Sequence, residues 1–127
     1  MKAILDTSAL LYWCFSPELL GAAAVRCTQT AEELIVSTIS LWEVALKVDR
    51  GRLELPLGPR EFAQKLEMTQ RVRVVAVDWP TWLASVELRW EHRDPADRVL
   101  VALAERLHLP LVTSDREILG FFPRAIW

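Results

Sequence analysis

Lys2-Ala3-Ile4-Leu5-Asp6-Thr7-Ser8-Ala9-Leu10 opens the chain with an apolar run that stops on a carboxylate and two hydroxyls. Lys2 to Leu5 predicts a short buried strand. Ser8 to Phe15 predicts an apolar helix started by Thr7 or Asp6, because Asp and Thr side chains accept hydrogen bonds from the free amides of a first turn. The same unit returns near the far end, where Pro110 to Thr113 reads as a strand and Asp115 follows Ser114. Both carboxylates then lie at strand exits, and in open parallel sheets the carboxyl edge of the strands is where ligands bind.

Between these ends, strand and helix patterns alternate. Pro17 opens a second helix running to about Thr30, Glu33 to Ser37 is a second strand, and Thr38 to Arg50 is an amphipathic helix stopped by Gly51. Leu53 to Pro59 is a turn-rich connection. Arg60 to Thr69 predicts a helix leading into the β-branched strand Val72 to Val77, and Pro80 starts a helix through Trp90. Asp94-Pro95-Ala96-Asp97 opens a strongly apolar helix to Leu107, and Arg124 to Trp127 reads as a short edge strand. The alternation predicts one α/β domain over residues 1–127, a three-layer α/β/α sandwich around a mainly parallel sheet.

Composition narrows the function classes. At 127 residues the chain is long enough for one proper core. The hydrophobic fraction of 52% and the 6 Trp are generous for that length, so part of the apolar surface is expected to meet a partner. A net charge of −2 excludes a global positive field for nucleic acid, leaving only local contacts such as Arg93, Arg98 and Arg116. Cys14 and Cys27 show no Cys-x-x-Cys spacing and read as free thiols of a reducing compartment. The run Ala9 to Phe15 loosely imitates a secretory signal, but Asp6 interrupts the apolar region and Ser16-Pro17-Glu18 ends it early. No run reaches transmembrane length, so a cytoplasmic protein off the membrane is expected.

Asp6, Glu43, Asp97 and Asp115 each have a purely structural explanation. Asp6 and Asp115 can cap helices, Ser40-Leu41-Trp42-Glu43 matches a capping box, and Asp94 and Asp97 bracket Pro95 at a helix start. A doubly wound sheet nevertheless gathers strand exits and helix starts on one edge, with Glu43 reaching in from its helix. Like charges that close repel unless a cation intervenes. Oxygen ligands without His or Cys favour Mg²⁺ or Mn²⁺ over zinc, and phosphodiester hydrolysis is the natural chemistry of such an ion. His92 and His108 have no setting that supports a general base, and His108 reads as the cation of a helix end. The tryptophans, including Trp79, Trp82 and Trp90, are expected to pack in the core.

Four segments carry a family resemblance: Leu5-Asp6-Thr7-Ser8-Ala9-Leu10, Ser37-Thr38-Ile39-Ser40-Leu41-Trp42-Glu43-Val44, His92-Arg93-Asp94-Pro95-Ala96-Asp97-Arg98 and Leu111-Val112-Thr113-Ser114-Asp115. Together and in this order they resemble PIN-domain ribonucleases, and more narrowly the VapC-type toxins of type II toxin-antitoxin modules. The resemblance implies a PIN-like fold, one or two Mg²⁺ or Mn²⁺ ions held by Asp6, Glu43, Asp97 and Asp115, and cleavage of RNA to 5′-phosphate and 3′-hydroxyl ends. It also implies a cognate antitoxin and a homodimer. Thr7, Ser40 and Thr113 are placed to orient carboxylates or waters. Asp94 reads as a cap first and an outer group of the site second. Arg98 and Arg116 are candidates to hold an adjacent phosphate.

Three other functions compete. A Mg²⁺-binding phosphoacceptor receiver domain has this size and class but needs a middle-strand Asp and a late Lys, whereas here only Asp78 is central and the last lysine is Lys65. An Asp-x-Asp phosphatase is disfavoured because Ser8 holds the second acidic position. The remaining alternative is a non-catalytic binding module that keeps the fold and uses the acids only as caps.

Overall fold

The computed structural model describes residues Met1–Trp127. Strand β1 (Lys2–Leu5) sends Ala3 and Leu5 into one apolar cluster and Ile4 into a second on the other side of the sheet, as the two-residue strand period requires. Helix α1 (Thr7–Phe15) follows at once, because the Asp6 carboxylate accepts the Ala9 amide at 2.8 Å and serves as N-cap. The helix expected from Pro17 to Thr30 is broken. A 3₁₀ turn, Pro17–Leu19, precedes α2 (Ala22–Thr30), with Gly21 between them. Gly21 sits against the C-terminus, where a Cβ would lie 2.6 Å from the Trp127 carbonyl carbon.

Strand β2 (Glu33–Ser37) leads without a loop into α3 (Thr38–Asp49). The N-cap of α3 is Ser37, whose hydroxyl accepts the Ile39 amide at 3.2 Å. The capping box expected at Ser40 and Glu43 is therefore corrected: both lie inside the helix, and Ser40 is fully buried. Helix α4 (Pro59–Met68) and β3 (Val72–Val75) follow, then α5 (Trp79–Glu87), α6 (Pro95–Leu107), β4 (Leu111–Val112), α7 (Arg116–Phe121) and β5 (Ala125–Ile126). Helix α5 stops at Glu87 rather than Trp90, since the carbonyls beyond it are drawn to Arg98 instead of continuing the helical ladder. His108 ends α6 in the left-handed region at φ 54°.

The sheet is parallel throughout, in the order β3-β2-β1-β4-β5. Leu5 pairs with Val36 on one side and with Val112 on the other, so the residues that follow these strands, Asp6, Ser37 and Thr113, emerge level on one edge. Between β1 and β4 the strand order reverses its direction of travel, which opens a crevice at the carboxyl edge. This order differs from the 2-1-3-4-5 order of receiver domains, and the receiver alternative falls with it. Residues of α1, α2, α3 and α4 cover one face of the sheet, and those of α6 and α7 the other. No helix is long and apolar enough to cross a membrane.

Candidate active site

Asp6 leaves β1 and Asp115 follows β4, so the sheet places these carboxylates on the two sides of the crevice. Asp6 is 4% exposed, with one oxygen on the Ala9 amide and the other accepting the Thr113 hydroxyl. Thr113 Oγ1 in turn accepts the Asp115 amide at 3.0 Å, so one hydroxyl sets the spacing of both acids. Asp115 caps α7 by accepting the amides of Glu117 and Ile118. Burial pushes the Asp6 carboxyl up to about 6, against the hydrogen bonds from Thr113 and Ala9, and the charges of Asp115 and Glu43 push the same way.

Glu43 comes from α3. Its Oε1 lies 2.5 Å from Thr7 Oγ1, which is also 3.0 Å from Ser40 Oγ. A hydroxyl has one proton and a carboxylate only accepts, so Thr7 donates to Glu43 and can accept from Ser40. Lys47, one turn along, brings its ammonium within 4.0 Å of the other Glu43 oxygen.

Asp97 lies in the first turn of α6, whose N-cap is Asp94. Its Oδ2 is 2.7 Å from His92 Nε2. Burial raises Asp97 to about 6 despite that hydrogen bond, and Asp94 and Asp115 add to the rise. The same hydrogen bond holds the His92 imidazole above its usual range. His92 has no local setting that marks it as part of the site; its one signal in the sequence is its spacing from Asp97 across the start of α6, which becomes a contact only once the α5–α6 connection folds back.

The four acids offer oxygen donors only, and Asp6 and Asp97 are each driven toward the neutral acid by burial and by other acids. A divalent cation relieves that cost. No group of three or more His, Cys, Asp or Glu side chains stands close enough together to hold a metal ion on its own. The donors are carboxylate oxygens, the chemical kind that suits Mg²⁺, an ion that binds one or two carboxylates and keeps several of its own waters.

The family model for the PIN domain matches residues 3–121. The chain belongs to the PIN-domain family. It is 31% identical over 116 residues to Ribonuclease VapC22 of Mycobacterium tuberculosis, covering 91% of this chain and 88% of that protein, which places it among the VapC-type ribonuclease toxins of toxin-antitoxin systems. The crystal structure of Mycobacterium tuberculosis VapC20, a sarcin-ricin loop cleaving toxin, shares the fold with a TM-score of 0.69 at 15% identity, over 94% of this chain and 95% of that one. A toxin-antitoxin complex from Klebsiella pneumoniae matches with a TM-score of 0.68 at 18% identity, covering 98% and 96% of the two chains.

Within this PIN domain, Asp6 and Asp115 flank the crevice, and Glu43 and Asp97 reach the same edge from α3 and α6. Thr7 and Thr113 hold two of these carboxylates, while Ser40 touches only Thr7. Arg98 is a correction. Its five N–H groups all donate to main-chain carbonyls, those of Ser85, Val86, Leu88, Trp90 and His92, and none remains for a phosphate. Arg116 stands exposed in the first turn of α7, without an ion pair. Two tryptophans expected in the core are also corrected: Trp79 is 73% and Trp82 45% exposed. They lie on α5 with Leu83 and Val86 at i, i+3, i+4 and i+7, one apolar stripe that no part of the chain covers.

Proposed function

We propose that this chain is a Mg²⁺- or Mn²⁺-dependent endoribonuclease, the toxin of a toxin-antitoxin pair, which hydrolyses RNA to 5′-phosphate and 3′-hydroxyl ends. Asp97 is the observation that carries the reading. Asp6, Asp94 and Asp115 all cap helices, so a non-catalytic module accounts for them. Asp97 caps nothing; it is a largely buried carboxylate set against other acids and oriented by a histidine. A module whose acids serve only as helix caps does not account for it.

Asp6, Asp97 and Asp115, with Glu43, would hold one or two ions directly or through water. When bound, such an ion polarises a non-bridging phosphate oxygen and lowers the pKa of a water. Glu43, fixed by Thr7, orients and deprotonates the attacking water. The water oxygen bonds to phosphorus as the bond to the 3′-oxygen breaks, and that oxygen leaves with a proton from solvent. Arg116 is free to contact a neighbouring phosphate.

The ribonuclease that is 31% identical supports RNA as the substrate, and structural likeness to toxin-antitoxin complexes supports an antitoxin partner. Apolar concavities between α1, α4 and the 53–57 connection, walled by Phe15, Leu57 and Phe62, suit an apolar antitoxin segment. The α5 stripe supports a homodimer. Cys14 and Cys27 are unpaired, in keeping with a reducing cytoplasm.

The test is cleavage of total RNA by antitoxin-free protein with Mn²⁺, with both ends mapped and Asp97→Asn as control. Cleavage that needs metal, leaves 5′-phosphates and disappears in Asp97→Asn is expected. Absence of cleavage with any RNA would return the chain to the binding-module reading.

A further inference from the structure

The α5–α6 connection is held in an unusual way. Arg98 spends every donor on main-chain carbonyls: Nε on Ser85 at 2.9 Å, Nη1 on Trp90 at 2.6 Å and His92 at 2.9 Å, and Nη2 on Leu88 at 2.9 Å and Val86 at 3.4 Å. A planar guanidinium is the one side chain that can gather so many acceptors in fixed directions. The segment so gathered carries His92 at its end. The His92 ring is steadied a second time by stacking: its centroid lies 4.6 Å from that of Trp90, which lies 4.6 Å from Phe121 at an interplanar angle of 7°. Phe121 ends α7, the helix that Asp115 caps. Main chain and ring are thus both fixed where Nε2 meets Asp97 Oδ2 at 2.7 Å.

We propose that Arg98 and His92 are positioning residues for Asp97: Arg98 fastens the connection, and the connection delivers His92 to one carboxylate oxygen, so that Oδ1 is turned out for the ion or its water. This rests on the proposed metal-dependent reading. The energetic reason is orientation. A free aspartate in a first helical turn samples several rotamers, whereas one tied through Oδ2 meets the cation already in place. Residues that orient metal ligands in this way are commonly worth 10–100-fold in affinity. The adjacent Asp-Arg pair therefore divides its work: Asp97 faces the site, and Arg98, one residue on, builds the wall that aims it.

The experiment is isothermal titration of Mn²⁺ into metal-free protein, alongside RNA cleavage, for wild type, His92→Ala, His92→Gln and Arg98→Lys. The His92 side chain is 20% exposed, so its variants should fold, and circular dichroism checks this. Expected are an approximately 10-fold or larger rise in the Mn²⁺ dissociation constant for His92→Ala, and recovery of most of it in His92→Gln, whose amide N–H can take the place of Nε2–H. Arg98→Lys should resemble His92→Ala, and adding it to His92→Ala should cost little more affinity because both act through one contact. Wild-type-like Mn²⁺ affinity in folded His92→Ala would overturn the proposal while leaving the nuclease reading intact. Equal losses in His92→Ala and His92→Gln would overturn it as well. Wild-type protein that neither binds Mn²⁺ nor cuts RNA would instead overturn the metal-dependent reading on which it rests.

Discussion

Asp6→Asn in metal-free protein should raise stability, and the size of the gain follows from the burial of the carboxylate. The folded pKa of about 6 against an ordinary 3.8 means that keeping Asp6 ionised at pH 7.5 costs roughly 3 kcal/mol. Asparagine retains the cap, because its Oδ1 still accepts the Ala9 amide. It loses the Thr113 hydroxyl as a donor, since an amide NH₂ faces it instead, at a cost of about 1 kcal/mol or somewhat more. The net expectation is a gain of about 1–2 kcal/mol, or roughly 3–10 °C in Tm for a domain of this size. The pH dependence has a definite sign. A raised carboxyl pKa means the folded state holds the proton more tightly than the unfolded state, so wild-type stability declines as pH rises from about 4 through 6. The advantage of Asp6→Asn is therefore complete above about pH 7 and fades as pH falls through 6 toward 4. Thermal unfolding followed by circular dichroism in EDTA from pH 4.5 to 8 measures both. Adding Mn²⁺ should reverse the order by stabilising wild type selectively. A variant less stable than wild type at pH 7.5 in EDTA, or a difference that ignores pH, would refute the account of Asp6 as a strained anion awaiting a cation.

Other perturbations separate neighbouring roles. Thr7→Val removes the donor to Glu43 and leaves the buried Ser40 hydroxyl without this partner, so cleavage should fall about tenfold with a stability loss of about 1–2 kcal/mol, read from single-turnover kinetics and a urea melt. Gly21→Ala must displace the C-terminus, where the new Cβ would meet Trp127 at 2.6 Å, and a loss of about 1–3 kcal/mol is expected in the same melt. If α5 forms the proposed homodimer interface, Leu83→Arg, which places a charge in the middle of its stripe, should leave the monomer folded while shifting the mass measured by light scattering from dimer to monomer. An unchanged mass would remove α5 from the dimer interface.

Local rules were enough wherever the deciding interaction is close in sequence. The apolar run Ala3–Leu5, the Pro95 start of α6 and the capping carboxylates at Asp6 and Asp115 depend on neighbours within a turn, and the strand-helix alternation they build implies a parallel sheet with acids on its carboxyl edge. Sequence pattern also picked out Asp6, Glu43, Asp97 and Asp115 as a set. Tertiary structure decided what each one touches. Ser40 matches a capping box by spacing, yet β2 runs directly into α3, so Ser37 is the N-cap, the helix begins at Thr38, and Ser40 turns inward to Thr7. Arg98 looked available to phosphate because charge and position are all a sequence displays, and only the fold-back of residues 85–92 supplies the carbonyls that consume it. Hydrophobicity alone puts the tryptophans of α5 in the core, yet it records only the drive to leave water without naming the surface that will cover them. Backbone pattern is written in short-range periodicity and so can be read from the chain, whereas side-chain partners separated by tens of residues exist only after the sheet order β3-β2-β1-β4-β5 has brought them to one edge.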